Sequence, residues 1–389
     1  MEPERLQRLL RDAAAPDEDG ARERAWDSVG AAYEQRPVRP RVPRRTPVAI
    51  AAAVAALAFA LSPPGDAVAD WVRDAVGIAP KAASESTTTA EKLPAGGRLL
   101  VTAGGSAWIV ERNGTHRRLG AWSGAAWSPK GLFVVVWRGR RLAALDPRGR
   151  VRWSFEAPRP ITEAQWSQSG FRIAYRSGSA LRVVAGDGND DRVLDPGTFR
   201  PTAWRPGVRE HVLAYSSGGH VDIVDADSQA RLARIRLPHV PNSLAWSADG
   251  KRLYVNLHRS IAIYDARGRR TGRIRMPGRL TVTTFAPARS GSLVAAARRD
   301  PDTGRSDVAL VGPRSQPRVL FGGDGRFTKL RFSPTGSWLL VAWPDADQWV
   351  FVRPGATGAA RVLSSPAVSK RFGGAGFPQL GGEWCCAGG

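Results

Sequence analysis

A short phrase that returns about every 40 residues constrains this chain more than any other feature of its sequence. The phrase is an aromatic residue, two or three turn residues and a glycine, followed by a hydrophobic run. It reads Trp-Ser-Pro-Lys-Gly at 127–131, Trp-Ser-Gln-Ser-Gly at 166–170, Trp-Ser-Ala-Asp-Gly at 246–250 and Phe-Ser-Pro-Thr-Gly at 332–336, with looser copies at Trp204 and Phe285. A fixed period of this length is typical of stacked supersecondary units, so we expect a repeat protein.

Every copy of the phrase is followed by the same order of predicted strands. A run rich in Val, Leu, Tyr and Trp comes first, at 132–137, 171–175, 211–215, 253–257, 293–297 and 338–343. A second, alternating run ends in an Asp-led turn, as at Asp146, Asp225 and Asp265, where the Asp side chain bonds its own backbone. A last short run leads to the next aromatic anchor. Four strands per repeat predict an all-β fold, a β-propeller.

The two ends of the repeat region predict how the propeller closes. Trp384 begins a further copy of the phrase, but the strand that should follow it is found at the other end of the region, at 98–101. That strand continues through 107–110 to the turn at Asn113. A C-terminal strand that completes the first blade leaves no open sheet edge. We therefore expect seven blades over residues 97–389, and six if Trp384 falls there by coincidence.

The composition bears on the partners of the chain. With 42% hydrophobic residues and 14 Trp, the repeat region has enough apolar surface to bury its own core. The formal charge of +22 suggests an anionic partner. Nucleic acid is disfavoured, because the arginines are spread over most repeats and no nucleic-acid reader motif is present. A protein or an anionic envelope ligand is the partner that we expect.

The N-terminal residues predict a membrane anchor. Five arginines at 36–45 directly precede an uncharged, apolar run, and such a cluster orients the N-terminus toward the cytoplasm by the positive-inside rule. We therefore expect a cytoplasmic helical leader at 1–45, a single-pass transmembrane signal anchor at 46–62, a juxtamembrane helix with a Ser/Thr-rich linker at 63–96, and an extracytoplasmic propeller. The alternative is a late signal peptide that is cut after Ala69.

Few residues outside the repeat pattern indicate chemistry. No nucleophile elbow, phosphate loop or dinucleotide fingerprint occurs, and no cofactor is expected. The acid-rich stretch at 186–191 is interpreted as a blade turn, because it lacks the spacing of a calcium loop. Cys385 and Cys386 form the one candidate redox pair, either as a vicinal disulfide or as two inert thiols. None of the five histidines has the spacing of a metal ligand: His116, His211, His220, His239 and His258.

The repeated phrase, with its hydrophobic strand and its Asp-led turn, resembles the WD40-like repeats of TolB-type bacterial propellers over residues 97–389. The Gly-His and Trp-Asp dipeptides of eukaryotic WD repeats are missing. By analogy of fold, the first interpretation is a non-enzymatic, membrane-anchored extracytoplasmic module that binds a protein or envelope ligand. The loops between the second and third strands are its expected binding surface. Their candidate residues are Arg138, Arg140, His258, Arg259, Arg299, Asp300, Asp302, Arg305, Asp345 and Asp347.

Two other functions remain open from the sequence. A cytoplasmic leader, one membrane segment and an outer domain also resemble membrane-bound anti-sigma regulators, in which residues 1–35 would hold a cytoplasmic partner; the zinc motif of such regulators is missing here. An exported enzyme that uses the central channel is the third interpretation. It depends on Glu163, the one carboxylate that we find in the strand runs at 161–164, 242–245 and 281–284.

Overall fold

The computed structural model describes residues 88–197, 201–207, 211–354 and 360–386. Within these ranges the strands form seven sheets, and each contains four antiparallel strands. In six sheets these four strands are consecutive in the chain, and in the remaining sheet the last strand of the chain joins the first three. Each sheet is one blade, and its strands are lettered a to d from the axis outward. The chain begins with β1 (Thr88–Thr89) and continues into blade 1 with β2 (Leu99–Ala103), β3 (Ser106–Val110) and β4 (His116–Gly120).

Blades 2, 3 and 4 follow in chain order, each running from strand a to strand d. Their strands are β5 (Gly124–Trp127), β6 (Val134–Arg138), β7 (Arg141–Leu145), β8 (Val151–Glu156), β9 (Ile161–Trp166), β10 (Arg172–Ser177), β11 (Ala180–Ala185), β12 (Arg192–Asp195), β13 (Thr202–Trp204), β14 (Val212–Ser217), β15 (His220–Asp225) and β16 (Arg231–Arg236).

Blades 5, 6 and 7 repeat the pattern before the chain returns to blade 1. Their strands are β17 (Ser243–Trp246), β18 (Arg252–Asn256), β19 (Ser260–Asp265), β20 (Arg270–Arg275), β21 (Thr281–Pro287), β22 (Val294–Arg299), β23 (Arg305–Gly312), β24 (Ser315–Asp324), β25 (Lys329–Phe332), β26 (Leu339–Trp343), β27 (Gln348–Arg353) and β28 (Arg361–Ser365). A 3₁₀ turn at Pro344–Ala346 joins β26 to β27, and a short helix α1 (Val368–Arg371) precedes β29 (Gln379–Leu380).

The repeated phrase forms the turn between strands a and b. In blade 2 the Ser128 hydroxyl accepts the N–H of Phe133 at 3.0 Å, and the Ser128 carbonyl accepts the N–H of Gly131 at 2.8 Å. Gly131 has a φ of +65°, which an L side chain rarely adopts. The same serine hydroxyl bond recurs at Ser167, Ser247 and Ser333. The phrase is therefore a hydrogen-bonded hairpin that follows each buried aromatic anchor.

The Asp-led turn joins strands c and d, as the sequence predicts. Asp146 Oδ1 accepts the backbone N–H groups of Arg148 and Arg150 at 2.9 and 3.0 Å. Asp265 makes the same pair of bonds in blade 5. Burial would raise the pKa of Asp146, but these backbone N–H groups and a nearby arginine hold it below its usual range. In this turn the carboxylate oxygen therefore accepts hydrogen bonds from backbone N–H groups that would otherwise need a backbone carbonyl as acceptor.

The last strand of the chain closes the ring. Strand β29 pairs antiparallel with β2 and becomes strand a of blade 1. Beyond it, Cys385 and Arg98 exchange backbone hydrogen bonds of 2.7 and 3.0 Å, at the turn position that Ser128 occupies in blade 2. Trp384 is 1% exposed, and its ring meets Phe351 of blade 7 edge to face. The predicted seven-bladed, all-β propeller with this closure is confirmed, and six blades are not needed.

The hydrophobic core consists of seven clusters, each between two neighbouring blades, in the part of the chain that the structure describes. The anchors Trp127, Trp166, Trp204 and Trp246 are each 6% exposed. The indole N–H of Trp246 donates to the Ala203 carbonyl of the preceding blade at 3.2 Å. Every blade therefore needs both of its neighbours, because each face of its sheet is half of a cluster.

The residues directly before blade 1 differ from the linker that the sequence predicts. Strand β1 pairs parallel with β28 at the outer edge of blade 7. Ala90 and Leu93 are 9% and 6% exposed and belong to the cluster between blades 7 and 1. From residue 88 onward the predicted linker is thus packed on the propeller, because Thr88–Thr89 pair with the edge strand of blade 7 and the apolar Ala90 and Leu93 enter the cluster between blades 7 and 1. The predicted leader at 1–45, the anchor at 46–62 and residues 63–87 lie outside the described residues.

The described residues contain one α-helix, α1, and it is far too short to span a bilayer; nothing else in these ranges meets the length and apolarity of a membrane-crossing helix.

Removing the closing anchor should destabilise the ring. We expect Trp384→Ala to lower the free energy of unfolding by about 3–5 kcal/mol, the usual cost of truncating a buried aromatic side chain. Phe171→Ala is the control, because Phe171 is 68% exposed and exposed substitutions stay within about 0.5 kcal/mol. Urea unfolding of the full chain measures both values. Equal costs for the two variants would contradict the closing role of Trp384.

Candidate functional site on the loop face

Strand direction places the predicted ligand loops at one end of the ring. Because successive strands of a blade are antiparallel, the b–c turns and the d–a connections share one end, and the a–b and c–d turns share the other. We call the first end the loop face. Its b–c turns are 104–105, 139–140, 178–179, 218–219, 257–259, 300–304 and 344–347. All ten predicted ligand residues lie in or beside these turns, in blades 2, 5, 6 and 7.

The charged residues of blade 6 are largely bound to one another. Asp300 Oδ1 accepts the N–H of Asp302 at 2.9 Å, and this backbone hydrogen bond holds the pKa of Asp300 below its usual range. The Asp302 carboxylate pairs with Arg279 at 3.1 Å, and Arg305 pairs with Asp324 at 3.6 Å. These contacts shape the longest b–c turn of the described residues, and ligand binding by its charged groups stays a prediction.

The two predicted acids of blade 7 also hold loops in place. Asp345 accepts the backbone N–H of Arg326 at 2.7 Å. Asp347 accepts the N–H and the hydroxyl of Ser369 at 2.8 and 2.7 Å, which ties the 3₁₀ turn to α1. A carboxylate used in this way positions the connection to the closing strand β29.

The predicted residues of blade 5 make contacts within the loop face. His258 has a φ of +61°, and its Nδ1 accepts a hydrogen bond from the Asn242 amide at 3.1 Å. Arg259 donates to the Gly278 carbonyl at 2.5 Å. In blade 6, Arg299 Nη1 is buried without a hydrogen-bond partner among the described residues.

Blade 2 presents its arginines in a different way. Arg140 Nε donates to the Ala157 carbonyl at 2.8 Å. The Arg138 side chain is exposed and has no hydrogen bond or ion pair with any residue in the described ranges. It lies directly opposite Arg141 across the two-residue turn 139–140. Neither of the two arginines has a carboxylate within ion-pair distance among the described residues.

A groove of about 340 Å³ between blades 1 and 2 contains this arginine pair. The guanidinium carbon of Arg141 lies 5.7 Å from the ring centroid of Trp122, and its Nη2 donates to Ser154 Oγ at 3.3 Å. We name this the blade 1–2 groove; it is lined by Leu119, Gly120, Ala121, Trp122, Arg138, Arg141, Leu145, Gly149 and Val151. Trp122 and Arg141 were not among the ligand residues predicted from the sequence. The available signal was Arg-Gly-Arg-Arg at 138–141, which places an arginine on both sides of a two-residue turn.

Three arginines within the blades are paired with aspartates. Each pair has a shortest N–O distance of 2.7 Å: Arg182 with Asp191, Arg234 with Asp222, and Arg298 with Asp307. Tyr175 also donates to Asp191 at 2.6 Å, and burial together with this bond raises the pKa of Tyr175. Asp191 ends the acid-rich stretch 186–191, which forms the c–d turn of blade 3 as interpreted from the sequence.

The inner strands place charges around the ring axis. Lys329 in blade 7 and Glu163 in blade 3 belong to strands a on opposite sides of the ring. Burial and the neighbouring Arg331 lower the pKa of Lys329, while the Glu163 carboxylate acts in the opposite direction. Arg331 donates to the Gly382 carbonyl at 2.6 Å. The enzyme hypothesis depends on Glu163. Its carboxylate lies close enough to Lys329 to interact with it electrostatically, but a charge with a purely structural role would make the same interaction.

The cysteine pair lies at the end of the ring opposite the loop face. Cys385 and Cys386 are joined as a vicinal disulfide in the a–b turn of blade 1. Both sulfurs, together with the guanidinium of Arg98, lie close to Gly131 of blade 2. This site is separate from the predicted ligand loops, and its redox role stays a prediction.

Known structures have the same architecture at low sequence identity. The Cps50 (Swd1) β-propeller domain of Myceliophteria thermophila is 13% identical, with a TM-score of 0.54, over 68% of this chain and 99% of that one. A chain of the mitotic checkpoint complex is 18% identical, with a TM-score of 0.53, over 69% and 94%. A chain of Kuenenia stuttgartiensis hydrazine synthase is 15% identical, with a TM-score of 0.51, over 60% and 76%.

The chain folds as a WD40-like β-propeller. At these identities the likeness shows the fold alone. No protein-family model matches the sequence, and no curated protein matches it either. The function of this propeller therefore has to be argued from its own loops and grooves.

The buried Asp222 pair should make stability depend on pH. Burial would raise the pKa of Asp222, but Arg234 holds it below its usual range. A lowered carboxyl pKa stabilises the fold above about pH 4, and this stabilisation is lost as the pH falls through the folded-state pKa. We expect Asp222→Asn to cost about 1–2 kcal/mol at neutral pH, because Asp222 is buried while Arg234 is 43% exposed.

Urea unfolding at a series of pH values measures this effect. The difference between the unmodified chain and Asp222→Asn should be present above about pH 5 and should shrink as the pH falls below about 4. Asp324→Asn is the control, because the Asp324 side chain is 83% exposed. A difference that grows as the pH falls below about 4 would show that the sign is wrong.

Proposed function

We propose that this protein is a membrane-anchored, extracytoplasmic propeller, similar to the TolB type, that binds a protein or an anionic envelope ligand through its loop face and catalyses no reaction. The observation that carries the proposal is a set of loop-face arginines that no acid of the chain neutralises. Three arginines within the blades are each paired with an aspartate. On the loop face, Arg138, Arg140 and Arg259 have no carboxylate partner among the described residues; two of them donate to backbone carbonyls only.

A protein partner fits this face on physical grounds. Guanidinium groups bind carboxylates through two parallel hydrogen bonds, so exposed arginines favour acidic surfaces. Loops held on a rigid scaffold are the usual place for binding residues. One of the similar structures is a chain of a complex, which agrees with a propeller that acts by binding proteins.

The membrane anchor is supported by the sequence before the propeller. The arginines at 36–45 precede the apolar run at 46–62, and this order favours a cytoplasmic N-terminus with the propeller on the outer side. A regulatory role is the second candidate function. It is favoured by the amphipathic pattern of Leu6, Leu9 and Leu10 in the leader, which suits docking of a cytoplasmic partner.

Partner capture should depend on the loop face. We expect the tagged full chain, solubilised in detergent, to retain a protein that is lost from the double variant Arg138→Glu with Arg259→Glu, because reversed charge repels an acidic partner. The matched control is Arg148→Glu with Arg267→Glu, which makes the same charge change in exposed c–d turns on the opposite face. Quantitative mass spectrometry of the captured proteins gives the result. Equal retention by both double variants would speak against the loop face.

The position of the propeller relative to the membrane can be tested separately. We expect the full chain to stay in the membrane fraction after alkaline carbonate washing and the propeller to be cut by protease added to intact spheroplasts. Deletion of residues 46–62 should release the chain into the soluble fraction and protect it from the added protease. A propeller that is protected in spheroplasts carrying the full chain would refute the proposed topology.

A further inference from the structure

Blade 2 places two positive charges at directly opposed positions of one hairpin. Arg138 on β6 and Arg141 on β7 are cross-strand partners. Side chains at such positions lie on the same face of the sheet with their Cβ atoms about 4.5–5.5 Å apart, and like charges there are destabilising. No carboxylate among the described residues lies within ion-pair distance of either guanidinium group, and Glu156, which is opposite Arg141 on β8, can offset only one of the two charges. The row Arg138, Arg141 and Glu156 therefore keeps an excess positive charge that an anion bound between the two guanidinium groups would offset.

The other blades provide an internal comparison for this position. Across their b–c turns the pairs of opposed residues are Ala103 with Ser106, Ser177 with Ala180, Ser217 with His220, Asn256 with Ile261, Arg299 with Ser306, and Trp343 with Gln348. None of these pairs contains two arginines, so the propeller hairpin does not need them. The pair in blade 2 is therefore a local feature and not part of the repeat.

The surroundings of the pair suit a ligand with an apolar part. The blade 1–2 groove has an apolar floor of Leu119, Leu145 and Val151, and Trp122 forms one wall. Arg141 is held in place by Ser154 Oγ and by the Trp122 ring, so its guanidinium group is partly preorganised for a ligand. A volume of about 340 Å³ is at the lower end of the range for ligand pockets.

We propose that the blade 1–2 groove binds an acidic peptide segment of a partner protein. Arg138 and Arg141 together bind one Asp or Glu carboxylate of the segment, and an adjacent apolar side chain packs on Leu119, Leu145 and Val151. The inference rests on the proposed protein-binding function and names the chemistry of the partner. Nucleic acid fits less well, because a phosphate backbone offers no apolar side chain for the groove floor.

The test uses the full chain in detergent and a defined peptide probe. The probe is a fluorescein-labelled, capped peptide Gly-Glu-Leu-Glu-Gly, and the matched control peptide is Gly-Gln-Leu-Gln-Gly. Fluorescence anisotropy should show saturable binding of the acidic peptide only, and this binding should weaken as salt is added. Arg138→Ala and Arg141→Ala should each weaken it about 10- to 100-fold, the usual effect of losing a hydrogen bond to a charged group.

Matched variants separate the groove from overall charge and from folding. Arg267→Ala removes one exposed arginine from the opposite face and should leave the peptide affinity unchanged. Arg138→Lys keeps the charge but loses the forked geometry, so binding should fall between that of the unmodified chain and that of Arg138→Ala. Because the exposed Arg138 side chain has no hydrogen bond or ion pair in the described ranges, Arg138→Lys should unfold at the temperature of the unmodified chain, and Arg138→Ala at that temperature or slightly above it, since it removes one of two opposed charges.

Several outcomes would overturn the inference. These are equal binding of the two peptides, no saturable binding up to millimolar peptide, equal loss with Arg267→Ala, and displacement of the peptide by a single-stranded oligonucleotide that binds more tightly. Failure here is distinguishable from failure of the proposed function. A partner whose capture needs Arg259 but tolerates Arg138→Ala with Arg141→Ala would leave the binding function in place and remove only the groove.

Discussion

The antiparallel pairing of β29 with β2 joins the two ends of the folded domain, and the rest of the propeller depends on it. Each hydrophobic cluster lies between two blades, so an open blade 1 would expose two clusters at once. Strand β2 would also have an unpaired inner edge, which is a template for aggregation. The closing strand is only Gln379–Leu380, yet the buried Trp384 after it extends the contact between blades 7 and 1. The stability of the whole ring therefore depends on the contacts of the short segment that contains β29 and Trp384.

The turns at the two ends of the ring differ: those at one end repeat the same hydrogen bonds, and those at the other end vary in length. At the a–b and c–d end, serine hydroxyls and Asp carboxylates accept backbone N–H groups in the same way from blade to blade. At the loop face the b–c turns range from two residues in blade 2 to five in blade 6. Loops free of the repeated hydrogen bonds tolerate changes in length and sequence, which is where binding residues accumulate.

The period and the turn residues made the fold predictable, because every blade repeats the same local hydrogen bonds. The roles of loop residues were not predictable in this way. Asp345 and Asp347 hold connections whose partners, Arg326 and Ser369, are distant in sequence, a role that the sequence pattern does not indicate; their binding of a ligand stays a prediction. Trp122 was missed because its importance comes from its contact with Arg141, from which β5 and β6 separate it in the chain. Contacts between residues so far apart in the chain have no local signature in the sequence.

The blades of a repeat protein can be compared position by position, so a residue pair that occurs in only one blade is informative. Seven blades solve the same packing problem, so a residue that the scaffold requires should recur at equivalent positions. Two opposed arginines are a feature that the scaffold does not require and that like-charge repulsion disfavours, and such exceptions are expected at functional sites. The pairs Arg182 with Asp191 and Arg298 with Asp307 show that the blades can neutralise an arginine with one aspartate. In blade 2 a single carboxylate, Glu156, is opposite Arg141, so the second negative charge that Arg138 and Arg141 attract would come from another molecule.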